Sequence, residues 1–281
     1  MLKKKIAFIG SGAMAEAMIA GLIRQKLSKP EDLRAAGPRS ARGDELKKKY
    51  GISPFRDNNQ AIENAQVIVL SVKPQRLTNV MKSLKGIRQD TLVLSIVAGA
   101  SLKKISTGLK HTAIVRSMPN TPAQIGRGIT VWTTSSSVNS TQKEIARSIL
   151  SALGEEVYVE DENYLDMATA LSGTGPAYVF LFMEALIDAG VHMGFPRYIA
   201  EKLVVETLRG SVEYFQKIEH HPAALRNQVT SPGGTSAEAL YYLEKAGFRT
   251  AISRAIWAAY QRSLELGKEK PGHIDPHETE V

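Results

Sequence analysis

Lys5-Ile6-Ala7-Phe8-Ile9-Gly10-Ser11-Gly12-Ala13-Met14-Ala15 is an apolar run that ends in closely spaced glycines and passes into an amphipathic stretch reaching Leu27. The run reads as a buried strand and the stretch behind it as a helix. The turn has the form G-x-G-x-x-A. Gly10 allows a tight turn, Gly12 lets the backbone approach a pyrophosphate, and Ala15 permits close helix-on-strand packing. Such a turn places free N–H groups at the positive end of a helix, which suits a dinucleotide. The candidate contacts are Ile9, Gly10, Ser11, Gly12, Ala13 and Met14. The other reading is a purely structural turn.

The pattern continues outward. Leu33–Ala36 reads as a second short strand and Ala41–Tyr50 as a polar helix. Gln66–Val72 and Thr91–Val97 are nearly continuous in Val, Ile and Leu, as strands buried on both faces are. Ala113–Ser117, Gly128–Thr133 and Glu156–Val159 extend the series, with a helix over Gln142–Leu153. Strands spaced by helices predict an α/β fold with a parallel, doubly wound, Rossmann-like sheet. From Tyr164 the pattern becomes helical: 164–171, 176–193, 196–217, 222–229, 235–245 and 248–268. Pro176, Pro196 and Pro222 stand where helices begin, where a missing N–H costs least. The expected domains are 1–163, a dinucleotide-binding sheet domain; 164–268, an all-helical dimerisation and substrate domain; and 269–281, a polar tail. Ala177–Ala189 is apolar nearly all round, so it must be buried in a bundle or against another subunit.

Composition narrows the function classes. The chain has 281 residues, no cysteine and a formal net charge of +8. A disulfide scaffold and thiolate chemistry are excluded. The longest apolar runs are far shorter than the ~20 residues of a membrane helix, so no membrane partner is expected and a cytoplasmic location fits. Basic residues are scattered, without a zinc-finger spacing or an aromatic-basic RNA motif, which argues against nucleic acid. His220 and His221 are adjacent and lack a third ligand, so no metal is expected.

The end of the second strand reads Ala35-Ala36-Gly37-Pro38-Arg39-Ser40-Ala41-Arg42 and lacks the acid that binds a ribose 2′-hydroxyl. Arg39 and Ser40 suit a 2′-phosphate instead. NADP(H) is the preferred cofactor and NAD(H) is admissible. The alternative is that Arg39 and Arg42 are solvated loop charges. Asn58 lies in Asp57-Asn58-Asn59, a helix N-cap that also fits the adenosine half. Ser71-Val72-Lys73-Pro74-Gln75 and Ala98-Gly99 follow strand ends, where open α/β sheets bind ligands; Gly99 leaves room for a ring. Both segments also read as plain strand-to-helix turns.

With these segments in view, the chain resembles the pyrroline-5-carboxylate reductase family. The similarity includes Arg116-Ser117-Met118-Pro119-Asn120-Thr121-Pro122, Leu171–Tyr178 and Val229-Thr230-Ser231-Pro232-Gly233-Gly234-Thr235. The resemblance implies reduction of a cyclic imine to proline. It implies nicotinamide contacts at Val72, Lys73, Pro74, Ala98 and Gly99, with Ser71 beside them. It puts the imino-acid carboxylate at Ser231, Gly233, Gly234 and Thr235, where glycine N–H groups and hydroxyls at a helix start suit an anion. Ser236, where relatives commonly have Thr, is the expected catalytic contact to the ring nitrogen, and Glu219 lies nearby in sequence. The family further implies an intertwined homodimer, with rings of dimers and an active site built between subunits. A regulatory NADP(H)-binding protein without turnover is the alternative. A β-hydroxyacid dehydrogenase fits less well, since Gly173–Leu186 contains no Lys.

Overall fold

The computed structural model describes residues 2–267; the tail expected over 269–281 lies outside them. The described chain forms two compact units. One runs to Thr174 and takes in the last helix from Ala259; the other is Gly175–Ala258. The division differs from the boundary expected at 163/164, because the helical turns over 163–174 pack on the sheet.

The first unit is built on an eight-stranded sheet of order β3-β2-β1-β4-β5-β6-β7-β8. The strands are β1 (Ile6–Ile9), β2 (Leu33–Ala36), β3 (Ser53–Phe55), β4 (Val67–Leu70), β5 (Leu92–Ser95), β6 (Ile114–Met118), β7 (Gly128–Thr134) and β8 (Gly154–Tyr158). Its helices are α1 (Ala13–Arg24), α2 (Ser40–Tyr50), α3 (Asn58–Ile62), α4 (Pro74–Ser83), α5 (Leu102–Leu109), α6 (Ser140–Ser151) and α7 (Asn163–Ala168). Two apolar layers cover the sheet. Ile6, Phe8, Val67, Val69 and Trp132 pack with α1 on one face, and Ala7, Ile9, Ile68, Leu70 and Val93 pack on the other.

The doubly wound order is as expected, with one correction: the sheet is not wholly parallel. β7 runs antiparallel to β6, pairing Arg116 with Thr133 and Met118 with Val131. The chain between them, residues 119–127, is too short for a parallel crossover of a dozen or more residues. Asn120 fixes that link, accepting from the Ile129 N–H at 3.0 Å and donating to the Ser172 carbonyl at 3.2 Å.

The second unit holds α8 (Gly175–His192), α9 (Arg197–Ile218), α10 (Pro222–Gln228), α11 (Thr235–Lys245) and the start of α12 (Phe248–Gly267). α8 packs along α9, where Gly190 lies so near Ala200 that an added Cβ would sit 3.1 Å from the alanine methyl. The outer surface of α8 is open: Val179, Phe180 and Leu181 are each more than half exposed. The short apolar runs of the sequence understate this region. The continuous helical stretch Asn163–His192 is long and apolar enough, by length and composition, to cross a membrane.

Candidate functional site

β1 delivers Gly10 in the left-handed region, at φ 106°. A Cβ there would lie 2.6 Å from the Ser71 carbonyl oxygen. Only glycine lets the two strand ends come together. Ser71 closes the contact, its hydroxyl donating to the carbonyls of Gly10 at 2.7 Å and Ile9 at 3.1 Å. Its side chain therefore holds the loop. Gly12 is the N-cap of α1, and a Cβ added to it would meet nothing within 4 Å. No side chain caps α1. The loop thus offers open backbone N–H groups and a free approach, as a diphosphate requires.

Four guanidinium groups surround the adjoining sheet edge, and they differ in what they touch. Arg42 donates to the Ser11 carbonyl at 3.0 Å and pairs with Glu16 and with Glu45. Lys49 and Tyr50 also bond Glu16, each at 2.8 Å. Burial alone would raise the Glu16 carboxyl; hydrogen bonds from Lys49, Arg42 and Tyr50 outweigh it and hold the pKa at about 2. Arg34 donates to the carbonyls of Ala61 and Glu63. Arg39 and Arg56 form no ion pair among the described residues. Both line a cleft of about 200 Å³ with Ser11, Gly37, Ser40, Asp44 and Phe55. Arg42 is therefore not the solvated loop charge that the sequence left open. Nothing in the sequence pattern singles out Arg56: β3 has three residues, and only the apolar pair Pro54-Phe55 marks it.

The remaining predicted positions of this unit separate into two sets. Asp57 caps α3 by accepting the Asn59 N–H at 2.7 Å. Asn58 begins that helix, half-buried, with no side-chain hydrogen bond among the described residues. Val72, Lys73 and Pro74 lead into α4, with Lys73 exposed at its N-cap. Ala98 and Gly99 follow β5. Gly99 has φ 70°, and a Cβ on it would lie 2.8 Å from the Gly267 nitrogen. The backbone at the end of α12 fills the space beside this glycine, so its missing side chain admits α12 there and not the ring the sequence suggested.

Sequence reasoning missed a network behind that loop. Arg116, with a side chain only 5% exposed, pairs with Glu162 at 2.9 Å and Asp166 at 3.0 Å. Glu162 also accepts the Leu102 N–H at 2.7 Å. Asp166 accepts the buried Ser263 hydroxyl at 2.7 Å. Each carboxylate thus ties the buried cation to a second element.

In the second unit Gly233 turns the chain at φ 69° and Gly234 is the N-cap of α11. A Cβ on Gly234 would lie 2.5 Å from the Ser231 hydroxyl. Neither Thr235 nor Ser236 caps the helix; both stand inside its first turn. Glu219 is exposed in the left-handed region at the end of α9. His221 caps α10, its Nδ1 accepting the Ala223 N–H at 3.2 Å. No group of three metal-ligating side chains occurs among the described residues.

Residues 162–266 match the family described as pyrroline-5-carboxylate reductase dimerisation. Residues 5–99 match the family described as NADP oxidoreductase, coenzyme F420-dependent. A pyrroline-5-carboxylate reductase of Synechocystis is 46% identical over 265 residues, covering 94% of this chain and 99% of that one. Among solved structures, a Plasmodium falciparum pyrroline carboxylate reductase with NADP bound superposes at a TM-score of 0.88. It is 34% identical and covers 95% of this chain and 100% of that chain. A pyrroline-5-carboxylate reductase of Coxiella burnetii gives 0.84 at 37% identity, covering 95% and 99%.

Proposed function

The chain belongs to the pyrroline-5-carboxylate reductase family, and from that membership we propose how its residues carry the reaction. The activity is reduction of the imine of 1-pyrroline-5-carboxylate to L-proline by a reduced nicotinamide cofactor, within a homo-oligomer. The observation that carries it is the end-to-end match, 94% of this chain against 99% of the Synechocystis enzyme.

The uncapped start of α1, behind Ile9-Gly10-Ser11-Gly12-Ala13-Met14, receives the diphosphate. Arg39 and Ser40 receive a 2′-phosphate, which makes NADP(H) the preferred cofactor and NAD(H) the weaker one. Asn58 holds the adenosine ribose. Val72, Lys73, Pro74, Ala98 and Gly99 border the nicotinamide, with Ser71 fixing the loop beneath. When bound, the cofactor supplies the hydride.

The open start of α11 takes the substrate carboxylate through the N–H groups of Gly233, Gly234 and Thr235, with Ser231 shaping the turn. Ser236 Oγ bonds the ring nitrogen. Glu219 favours its protonated form, whose positive charge draws hydride to the adjacent carbon. The helical unit forms a homodimer, and dimers build a ring. The apolar face of 163–192 meets a second copy rather than lipid; Asp166, in the middle of α7, is already bound to Arg116. The enzyme works in the cytoplasm with neither membrane nor nucleic acid.

Ser236→Ala tests the assignment. Turnover with pyrroline-5-carboxylate falls by about a factor of ten or more, while the NADPH dissociation constant, read by fluorescence titration, stays unchanged. Wild-type turnover in that variant would remove Ser236 from the reaction. Demonstrable NADPH binding without imine-dependent oxidation in the wild-type chain would favour the regulatory reading instead.

A further inference from the structure

Of the four guanidinium groups at the outer sheet edge, two are engaged inside the protein. Arg42 is held by Glu16, Glu45 and the Ser11 carbonyl, and Arg34 by two backbone carbonyls. The other two, Arg39 and Arg56, have no ion pair among the described residues, and both border the same cleft. They come from different elements. Arg39 precedes α2. Arg56 follows the edge strand β3, and its backbone is fixed beside the β2 turn. β2 and β3 are in register with Ala36 opposite Phe55, and the Gly37 N–H donates to the Phe55 carbonyl at 3.1 Å. Immediately afterwards Asp57 starts α3. The base of the Arg56 side chain is therefore anchored on both sides while its charged end is uncommitted.

The cleft is built for something compact. Gly37 lies against its floor, where a Cβ would meet the Ser11 hydroxyl at 2.5 Å. Its wall needs Gly43, whose Cβ would lie 2.9 Å from the Pro54 Cβ. Asp44 is the carboxylate in the lining. With two cations against one anion, the cleft favours a dianionic group bearing several acceptor oxygens.

We infer that Arg56 is a specificity-determining residue, a second guanidinium that joins Arg39 and Ser40 on the adenosine 2′-phosphate. The inference rests on the NADP(H) reading above and adds to it a contact from β3. Selectivity for the phosphorylated cofactor is then shared between two separated segments, and Asp44 sets its upper limit by repulsion.

Calorimetric titration with 2′,5′-ADP and with 5′-AMP tests this without turnover. The wild-type chain binds 2′,5′-ADP more tightly than 5′-AMP. Arg56→Ala weakens 2′,5′-ADP by about tenfold or more and leaves 5′-AMP within about twofold. Asp44→Asn tightens 2′,5′-ADP alone. Arg56 is exposed, and an unchanged melting temperature checks that the variant is folded. If Arg56→Ala binds 2′,5′-ADP as the wild type does while Arg39→Ala loses it, the role of Arg56 is overturned and the NADP(H) reading stands. Equal loss of both ligands in Arg56→Ala also overturns it, leaving Arg56 a shaping residue. If the wild type does not distinguish the two ligands, the NADP(H) reading itself fails.

Discussion

Arg42 donates to the Ser11 carbonyl, so the shape of the glycine loop depends on the anions that hold that guanidinium. Glu16 is the half-buried one, and its pKa is lowered from 4.5 to about 2. Its folded-state pKa lies below its unfolded value. The stability it contributes is therefore complete above about pH 4.5 and is lost as the pH falls toward 2, about 1 kcal/mol once solvent screening of this partly exposed cluster is allowed for. Glu16→Gln is expected to lower stability at neutral pH, flatten that acid-side loss in urea unfolding curves, and weaken NADPH binding. Unaltered acid unfolding would show that the Glu16 cluster does not hold α2 to α1. Little of this is visible in the primary sequence. Glu16 and Arg42 are 26 positions apart, and no local pattern pairs them. The glycine loop itself was legible, because its residue types follow from backbone geometry alone.

At the scale of elements, the Arg116 network decides how the loop after β5 is held. Removing the cation leaves two carboxylates, the largely buried Asp166 and the partly exposed Glu162, without their shared partner. Arg116→Ala is expected to cost about 3–5 kcal/mol, measured by chemical denaturation. A loss below about 1 kcal/mol would mean that water replaces the guanidinium. Gly99→Ala combines a positive φ with backbone contact at 2.8 Å and should destabilise by about 1–3 kcal/mol. The long apolar strands and capped helices could be read directly because their periods repeat. β3 could not: it has three residues with Pro54 at its centre, a composition only an edge strand tolerates. α5 is equally hard to read. Its stretch LKKISTGL contains Gly108, a poor helix former that packs against the end of the Met81 side chain.

For the whole molecule, the open question of the sequence was where an all-round apolar helix is buried. Within one chain α8 is not buried; Leu181 is 67% exposed and Phe180 58%. A charge there opposes association without touching the sheet core. Leu181→Glu is expected to convert the oligomer to monomer by light scattering, abolish imine reduction, and retain NADPH binding. A variant that remains oligomeric would place the subunit contact on another face.

The sheet unit is also discontinuous along the chain. Its loop after β5 rests on the backbone of Leu266 and Gly267, and Asp166 takes its last hydrogen bond from Ser263. During synthesis, the ribosome makes residues 1–174 long before it makes these closing pieces. Until α12 is made, Asp166 lacks its hydrogen bond from Ser263 and the Gly99 loop lacks the backbone that covers it. A chain cut before Ala259 should therefore show faster amide exchange over Val97–Leu102 than one that carries residues 259–267, because the loop then loses the backbone it rests on.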